Sequence, residues 1–326
     1  MSTEPARHIS LETVREAASR VYAVAARTPL VRLDPIGRGT PEIFLKLEVF
    51  QPIGSFKIRG AANAVARLEP HEMREGVWTV SAGNAAQGVA LAAREAGVPA
   101  SVLVMDPAPA TKIRAIERLG ATIVPAPFDE CWRAVESHQS DRMHGRLVHP
   151  FDDDDFISGN GTLALEVLED LPDVDAIVAP MGGGGLLSGI GVVLRALKPE
   201  AKVYAAEPET AAPLQASFDA GRASRFPNWS RTWIDGAGGQ SVLESMWPLV
   251  SKWVDESIVV SIDDAAKAMR LLAERAHVIA EGAASLAVAA ALSPKLRQAG
   301  HKKIVAVVSG GNVDLSRFCQ VTGSCP

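Results

Sequence analysis

In the heptad Gly54-Ser55-Phe56-Lys57-Ile58-Arg59-Gly60 an amine stands between small, aromatic and apolar neighbours. Partial burial and nearby positive charge lower a lysine's pKa and free the lone pair that attacks an aldehyde. Lys57 is therefore a candidate Schiff-base lysine, with Arg59 a source of that charge; from the heptad alone, a solvated lysine opening a helix reads equally well. Met181-Gly182-Gly183-Gly184-Gly185-Leu186 offers a second chemistry. Its glycines clear side chains away from backbone amides, and the helix start that follows adds unsatisfied N–H groups and the positive end of a dipole, a cradle for phosphate. The spacing is neither GxGxxG nor GxxxxGK[ST], so neither a Rossmann fingerprint nor a Walker loop fits. Ser81-Ala82-Gly83-Asn84-Ala85-Ala86-Gln87-Gly88 follows a strand pattern and opens a helical one. Its amides suit a carboxylate and Asn84 suits a polar ring substituent, although serine and asparagine there also read as helix caps. Ser309-Gly310-Gly311-Asn312 ends the last strand pattern, at the edge where open α/β sheets place ligands.

The elements that must carry these loops alternate between Val/Ile-rich runs and Ala-rich segments of helical period, the pattern of parallel strands joined by crossover helices. Strands are expected at 43–47, 77–80, 101–105, 122–124, 176–179, 203–206 and 304–308, and helices at 11–25, 61–68, 85–96, 112–119, 161–169, 186–197, 264–280 and 283–292. The fold class is α/β. Residues 76–151 form a small domain inserted in a large one made of 1–75 and 152–326. The polar run from His149 to Asp155 marks the crossing, and its consecutive carboxylates read as a solvated turn rather than a cation site. Residues 226–253, rich in Trp and Gly, carry no readable period.

Composition narrows the function. The chain has 326 residues, 47% of them hydrophobic, enough for two domains with a sizeable core. A net charge of -5 gives no basic footprint for nucleic acid or an anionic membrane, so the partner is a small molecule. Cys131, Cys319 and Cys325 make no CxxC pair and no zinc spacing, which indicates neither a disulfide framework nor a metal cluster. The polar N-terminus has no apolar leader and no run is long enough to span a bilayer, so a soluble cytoplasmic protein is expected.

A lysine heptad, a glycine cradle and two small-residue loops at strand ends together describe a site for an aldehyde that carries a phosphate, and pyridoxal phosphate is such a molecule. The chain resembles the fold type II pyridoxal-phosphate enzymes, and within them the serine/threonine dehydratase and serine racemase group. The likeness runs from Arg27-Thr28-Pro29-Leu30 through Lys46-Leu47-Glu48, GSFKIRG, SAGNAAQG, GGGGL, Asp235-Gly236 and Ala280-Glu281-Gly282 to SGGN. The resemblance implies two open, twisted, mostly parallel sheets flanked by helices. It also implies that Lys57 carries the cofactor and, once freed, removes the substrate α-proton. It makes Phe56 the residue packed on the pyridine ring, Asn84 the partner of the ring hydroxyl, and Gly182, Gly183, Gly184 and Gly185 the phosphate loop. Ser309 meets the ring nitrogen, Glu281 is counted among the cofactor-binding residues, and Ser81, Ala82, Gly83 and Asn84 hold the substrate carboxylate. A serine at 309 leaves the nitrogen largely unprotonated, which suits elimination of a β-substituent over transamination.

Racemases of the group carry a second serine where this chain has Ala82, and alanine cannot return a proton. The implied reaction is elimination of water from a 3-hydroxy amino acid such as L-threonine or L-serine, giving a 2-oxo acid and ammonia. Racemisation or β-replacement is the alternative within the fold; a nucleotide-binding oxidoreductase or a ligand sensor is the alternative outside it. Ala85, Asn160 and Gly282 depart from the group's usual histidine, glutamine and proline, so substrate preference is open. Glu207 and Ala211 match two of the three ligands of a Mg or Ca site found in relatives, but Pro213 holds the third position, and the balance tips against a bound cation. Trp233 reads as a pocket wall or as core. The resemblance further implies a homodimer, and the short segment after SGGN a catabolic enzyme without a regulatory domain.

Overall fold

The computed structural model describes residues 7–34 and 41–323; Cys325 and residues 1–6 of the polar N-terminus lie outside them. The chain begins with α1 (Leu11–Val21), β1 (Leu30–Arg32), β2 (Glu42–Leu47), α2 (Lys57–Ala66) and α3 (Pro70–Glu75). It continues through β3 (Val77–Val80), α4 (Asn84–Ala96), β4 (Ala100–Met105), α5 (Ala110–Glu117), β5 (Thr122–Ala126), α6 (Phe128–Ser137) and β6 (Arg146–Leu147). Then come α7 (Asp154–Asp170), β7 (Ala176–Pro180), α8 (Gly185–Leu197), β8 (Lys202–Pro208), α9 (Pro213–Ala220), α10 (Trp247–Trp253) and β9 (Glu256–Val260). The last elements are α11 (Ile262–Leu271), a π-helical turn over Leu272–Ala276, α12 (Gly282–Ala291), α13 (Pro294–Gln298), β10 (Lys303–Val308) and α14 (Leu315–Thr322).

These strands form two sheets, one of six strands in the order β1-β2-β10-β7-β8-β9 and one of four in the order β5-β4-β3-β6. Among the strands of the described residues, β1 alone pairs antiparallel, with β2. Central β7 and β10 are buried almost throughout, as a sheet covered on both faces requires. Their side chains alternate: Ile177, Ala179, Val305 and Val307 join the core built with α7 and α8, whereas Ala176, Val178, Ile304 and Ala306 join the one built with α11 and α12. Glycines let α2, α7 and α8 approach closely. A Cβ at Gly60 would strike the Phe156 ring, and one at Gly159 the Arg59 carbonyl.

Where the structure differs from the expected elements, the cause is local. Asp153 accepts the Phe156 amide at 2.9 Å, so α7 starts well before residue 161 and Asp154 and Asp155 fill its first turn. That acidic run is a helix start complementing a dipole, with Asp152 buried ahead of it, and not a solvated turn. Residues 226–253 are mostly loop, with α10 at their end. Cys131 is a free thiol, but Cys319 is disulfide-bonded, contrary to expectation.

Behind α2 lies a buried ion cluster made from residues of the sequence motifs. Arg59 meets Glu48 at 2.8 Å and Glu166 at 2.6 Å, and Lys46 meets Glu166 at 2.6 Å. Thr28 Oγ1 donates to Glu48 at 2.6 Å and Tyr22 to Glu166 at 2.8 Å. Two cations and two anions balance, so the cluster is paired throughout.

Candidate active site

Lys57 does open a helix, being the first residue of α2, yet it is not a solvated lysine. The heptad is sewn to the end of β10: the Phe56 amide donates to the Ser309 carbonyl at 3.0 Å and the Gly311 amide to the Gly54 carbonyl at 2.9 Å. That pairing turns the half-buried Lys57 inward, where Nζ donates to the Pro150 carbonyl. It also lies 5.2 Å from the Phe56 ring centroid and 5.3 Å from that of Phe156. Burial lowers its pKa to about 8, against the opposing pull of Glu281. Arg59 is therefore not the source of charge that the heptad suggested, because Glu48 and Glu166 neutralise it.

Asn84 is the first residue of α4 but caps nothing. Its Nδ2 donates to Glu281 Oε1 at 2.7 Å and its Oδ1 accepts Asn312 Nδ2 at 2.7 Å, so two strand-end loops and the start of α12 meet at one amide. Asn312 also donates to the Ile53 carbonyl at 2.8 Å, which closes the ring of contacts back to the lysine heptad. Ser81 Oγ accepts the Gly83 amide at 3.0 Å and shapes the loop, while the space a Gly83 side chain would take is open. Burial pushes the Glu281 carboxyl up to about 7, with the Asn84 hydrogen bond resisting. Ser309 is 1% exposed beneath this cluster.

The glycine loop has protein on the sides where its side chains would be. A Cβ on Gly183 would fall inside the Phe151 ring, on Gly185 against the Phe151 carbonyl, on Gly182 against the Gly236 carbonyl and on Gly184 against Val250. Gly184 caps α8 at φ 92°, a conformation that favours glycine. The combination fits a phosphate-bearing aldehyde: a glycine turn at a helix start, an open face at Gly83, a lysine of lowered pKa, and Ser55 Oγ buried with no protein partner next to Gly310.

Phe56, Lys57, Asn84, Glu281 and Ser309 thus meet in one neighbourhood, and Phe151, next to Pro150, links it to Gly182–Gly185. Glu207 has a set of protein partners. Its carboxylate, fully buried, accepts the Leu214 and Gln215 amides at 2.8 Å each and Ser257 Oγ at 2.6 Å, so it caps α9 and ties it to β9. Pro213 starts α9 and offers no side-chain oxygen beside Glu207 and Ala211, and no group of three or more His, Cys, Asp or Glu side chains placed to hold a metal occurs among the described residues. Sequence reasoning missed Pro150, whose contribution is a backbone carbonyl, and the side chain of Asn312, whose partners are far away in the chain. It also missed the ion pair of Lys112 on α5 with Asp235, 2.5 Å apart, although Asp235 was part of a recognised motif. Trp233 occupies the space that a side chain at Gly282 would need, which accounts for glycine there.

A family model described as "Pyridoxal-phosphate dependent enzyme" matches residues 21–310. The L-threonine ammonia-lyase of Thermotoga maritima is 42% identical over 316 residues, covering 96% of this chain and 78% of that protein. A serine racemase of Oryza sativa subsp. indica is 37% identical over 94% of this chain and 91% of its own length. Among solved structures, maize serine racemase superposes with a TM-score of 0.88 at 34% identity, covering 96% of each chain. With the lysine, the loops at the strand ends and the glycine turn arranged as described, the chain belongs to the pyridoxal-phosphate-dependent enzymes of fold type II.

Proposed function

We propose that the protein is an ammonia-lyase that removes water from a 3-hydroxy amino acid, L-threonine or L-serine being the first candidates, and releases a 2-oxo acid and ammonia. The bound cofactor supplies a ring that accepts the electron pair left at the substrate α-carbon. Lys57 holds the cofactor and its Nζ takes the α-proton; a pKa near 8 leaves part of the amine neutral at physiological pH. The backbone of Ser81–Asn84 holds the substrate carboxylate. Gly182–Gly185 would hold the phosphate through amides at the start of α8, Asn84 would serve the ring hydroxyl, and Ser309 would offer the ring nitrogen a neutral hydroxyl. Phe56 and Phe156 exclude water around the amine.

Ala82 is the observation that carries elimination over racemisation, because a methyl group neither gives nor takes a proton on the second face. Serine racemases among the relatives keep racemisation as the second reading. A screen of 2-oxo acid release across 3-hydroxy amino acids of both configurations, beside chiral analysis of serine, separates them; racemisation outrunning elimination would sink the lyase reading. Borohydride reduction should leave the cofactor mass on the peptide containing Lys57.

The same reading includes a small domain at 76–151, supported by the four-stranded sheet drawn wholly from strands β3 to β6. It also includes a cytoplasmic homodimer, supported by family resemblance and checked by sedimentation. No described helix is long and apolar enough to cross a membrane.

A further inference from the structure

The turn from His149 to Asp152 presents two different things to the site. His149 is 1% exposed; its Nδ1 accepts the Asp152 amide at 2.8 Å, so Nε2 carries the proton toward the Val135 carbonyl at 3.1 Å. Burial, with His138 stacked 4.5 Å away, pushes the imidazole down to about 3, so it stays neutral and staples the turn. Pro150 then offers its carbonyl to Lys57, and Phe151, edge-on to His149 at 4.6 Å, backs Gly183 and Gly185.

Asp152 follows at once and gathers donors from three separate parts of the chain. Arg7 reaches it at 2.6 Å, Ser245 Oγ at 2.6 Å and His138 Nε2 at 3.1 Å. Burial works against the charge, but His138, Ser245 and Arg7 hold the Asp152 carboxyl well below the usual carboxylate range. Ser245 directly precedes Met246, which with Val250 backs Gly184. The two walls behind the glycine loop, Phe151 on one side and Met246 with Val250 on the other, are therefore joined at one buried carboxylate.

We propose that Asp152 is a positioning residue for the cofactor phosphate: it locks both walls of the Gly182–Gly185 cradle without touching the ligand. The proposal rests on the reading of that loop as the phosphate site. It is tested by titrating the apoprotein with pyridoxal phosphate and with pyridoxal, which lacks the phosphate, and following protein fluorescence. Asp152→Asn should lower affinity for pyridoxal phosphate about tenfold and leave that for pyridoxal unchanged, since the charge-assisted hydrogen bonds that join the two walls weaken while part of the network survives. Ser245→Ala deletes a single hydroxyl and should show the same phosphate-selective loss at about threefold, because Arg7 and His138 still hold the carboxylate. It carries the test should the Asp152 variant not fold. Equal loss for both ligands, the mark of a merely weakened fold, or no loss for either would overturn the role of Asp152. Wild-type protein binding both ligands equally would instead overturn the phosphate-loop reading, and the proposal with it.

Discussion

A protonated amine can neither attack a carbonyl nor take a proton, and at Lys57 burial against two aromatic rings, not a neighbouring cation, moves the balance toward the neutral form. Lys57→Ala should lower elimination at least about 10³-fold while pyridoxal phosphate still binds; steady-state kinetics beside an equilibrium titration checks both. Glu281 supplies a second titration. Its folded pKa, about 7, lies above the unfolded value, so the folded state binds more protons between pH 4.5 and 7. Its contribution to stability is complete below about pH 4.5 and is lost as pH rises through 7. In urea melts of the apoprotein, Glu281→Gln should gain on the wild type across that window, by on the order of 2 kcal/mol, and a pH-independent difference would contradict the buried carboxyl. The identity of these residues was legible because lysine, glycine and asparagine stand in short motifs. Their partners were not: the Pro150 carbonyl has no side-chain signature, and Asn84 meets Glu281 and Asn312 only after the chain has folded.

At the scale of elements, α2 is the part that aims the amine. It is fixed by the ion cluster on one side and by α7 on the other, where the Phe156 ring fills the space over Gly60. Arg59→Met should cost about 3–5 kcal/mol in chemical denaturation, since it leaves Glu48 and Glu166 buried with one cation between them. Arg59→Lys should rescue little, because a single ammonium cannot serve two carboxylates as a guanidinium does. The motifs containing Lys46, Glu48 and Arg59 were visible in the sequence as signs of kinship. Their physical meaning was not, since a charged residue looks solvated until its counter-ion is known. Long apolar, Ala- and Leu-rich helices such as α8 and α12 were readable to within a residue or two. The start of α7 was hidden among carboxylates, β6 is only two residues long, and α9 and α10 each open on or beside a proline within a stretch of weak period.

For the whole molecule, the α/β class followed from the alternation of apolar runs and helical periods and the two-sheet plan from the family resemblance, but strand order followed from neither, because nothing in a strand's own residues names its neighbour. The molecule's closure around Glu207 depends on protein donors: α9 and β9 are held by amides and a hydroxyl. Excess EDTA should leave the thermal midpoint of the holoenzyme unchanged, and a chelator-induced fall restored by magnesium would show that Glu207 serves a cation after all. The position of β10 bears on how such a chain comes into being. It lies between β2, from near the start of the chain, and β7, and it bonds to both. While a ribosome is still making the chain, the six-stranded sheet has two halves and no middle, and closing it means ordering a very long loop. Ser309 and Asn312 emerge directly after β10, so cofactor capture should be a late event in synthesis and not a gradual one. Stalled nascent chains displayed on a linker should retain no borohydride-fixed cofactor when they end before Lys303 and should retain it when they extend through α14.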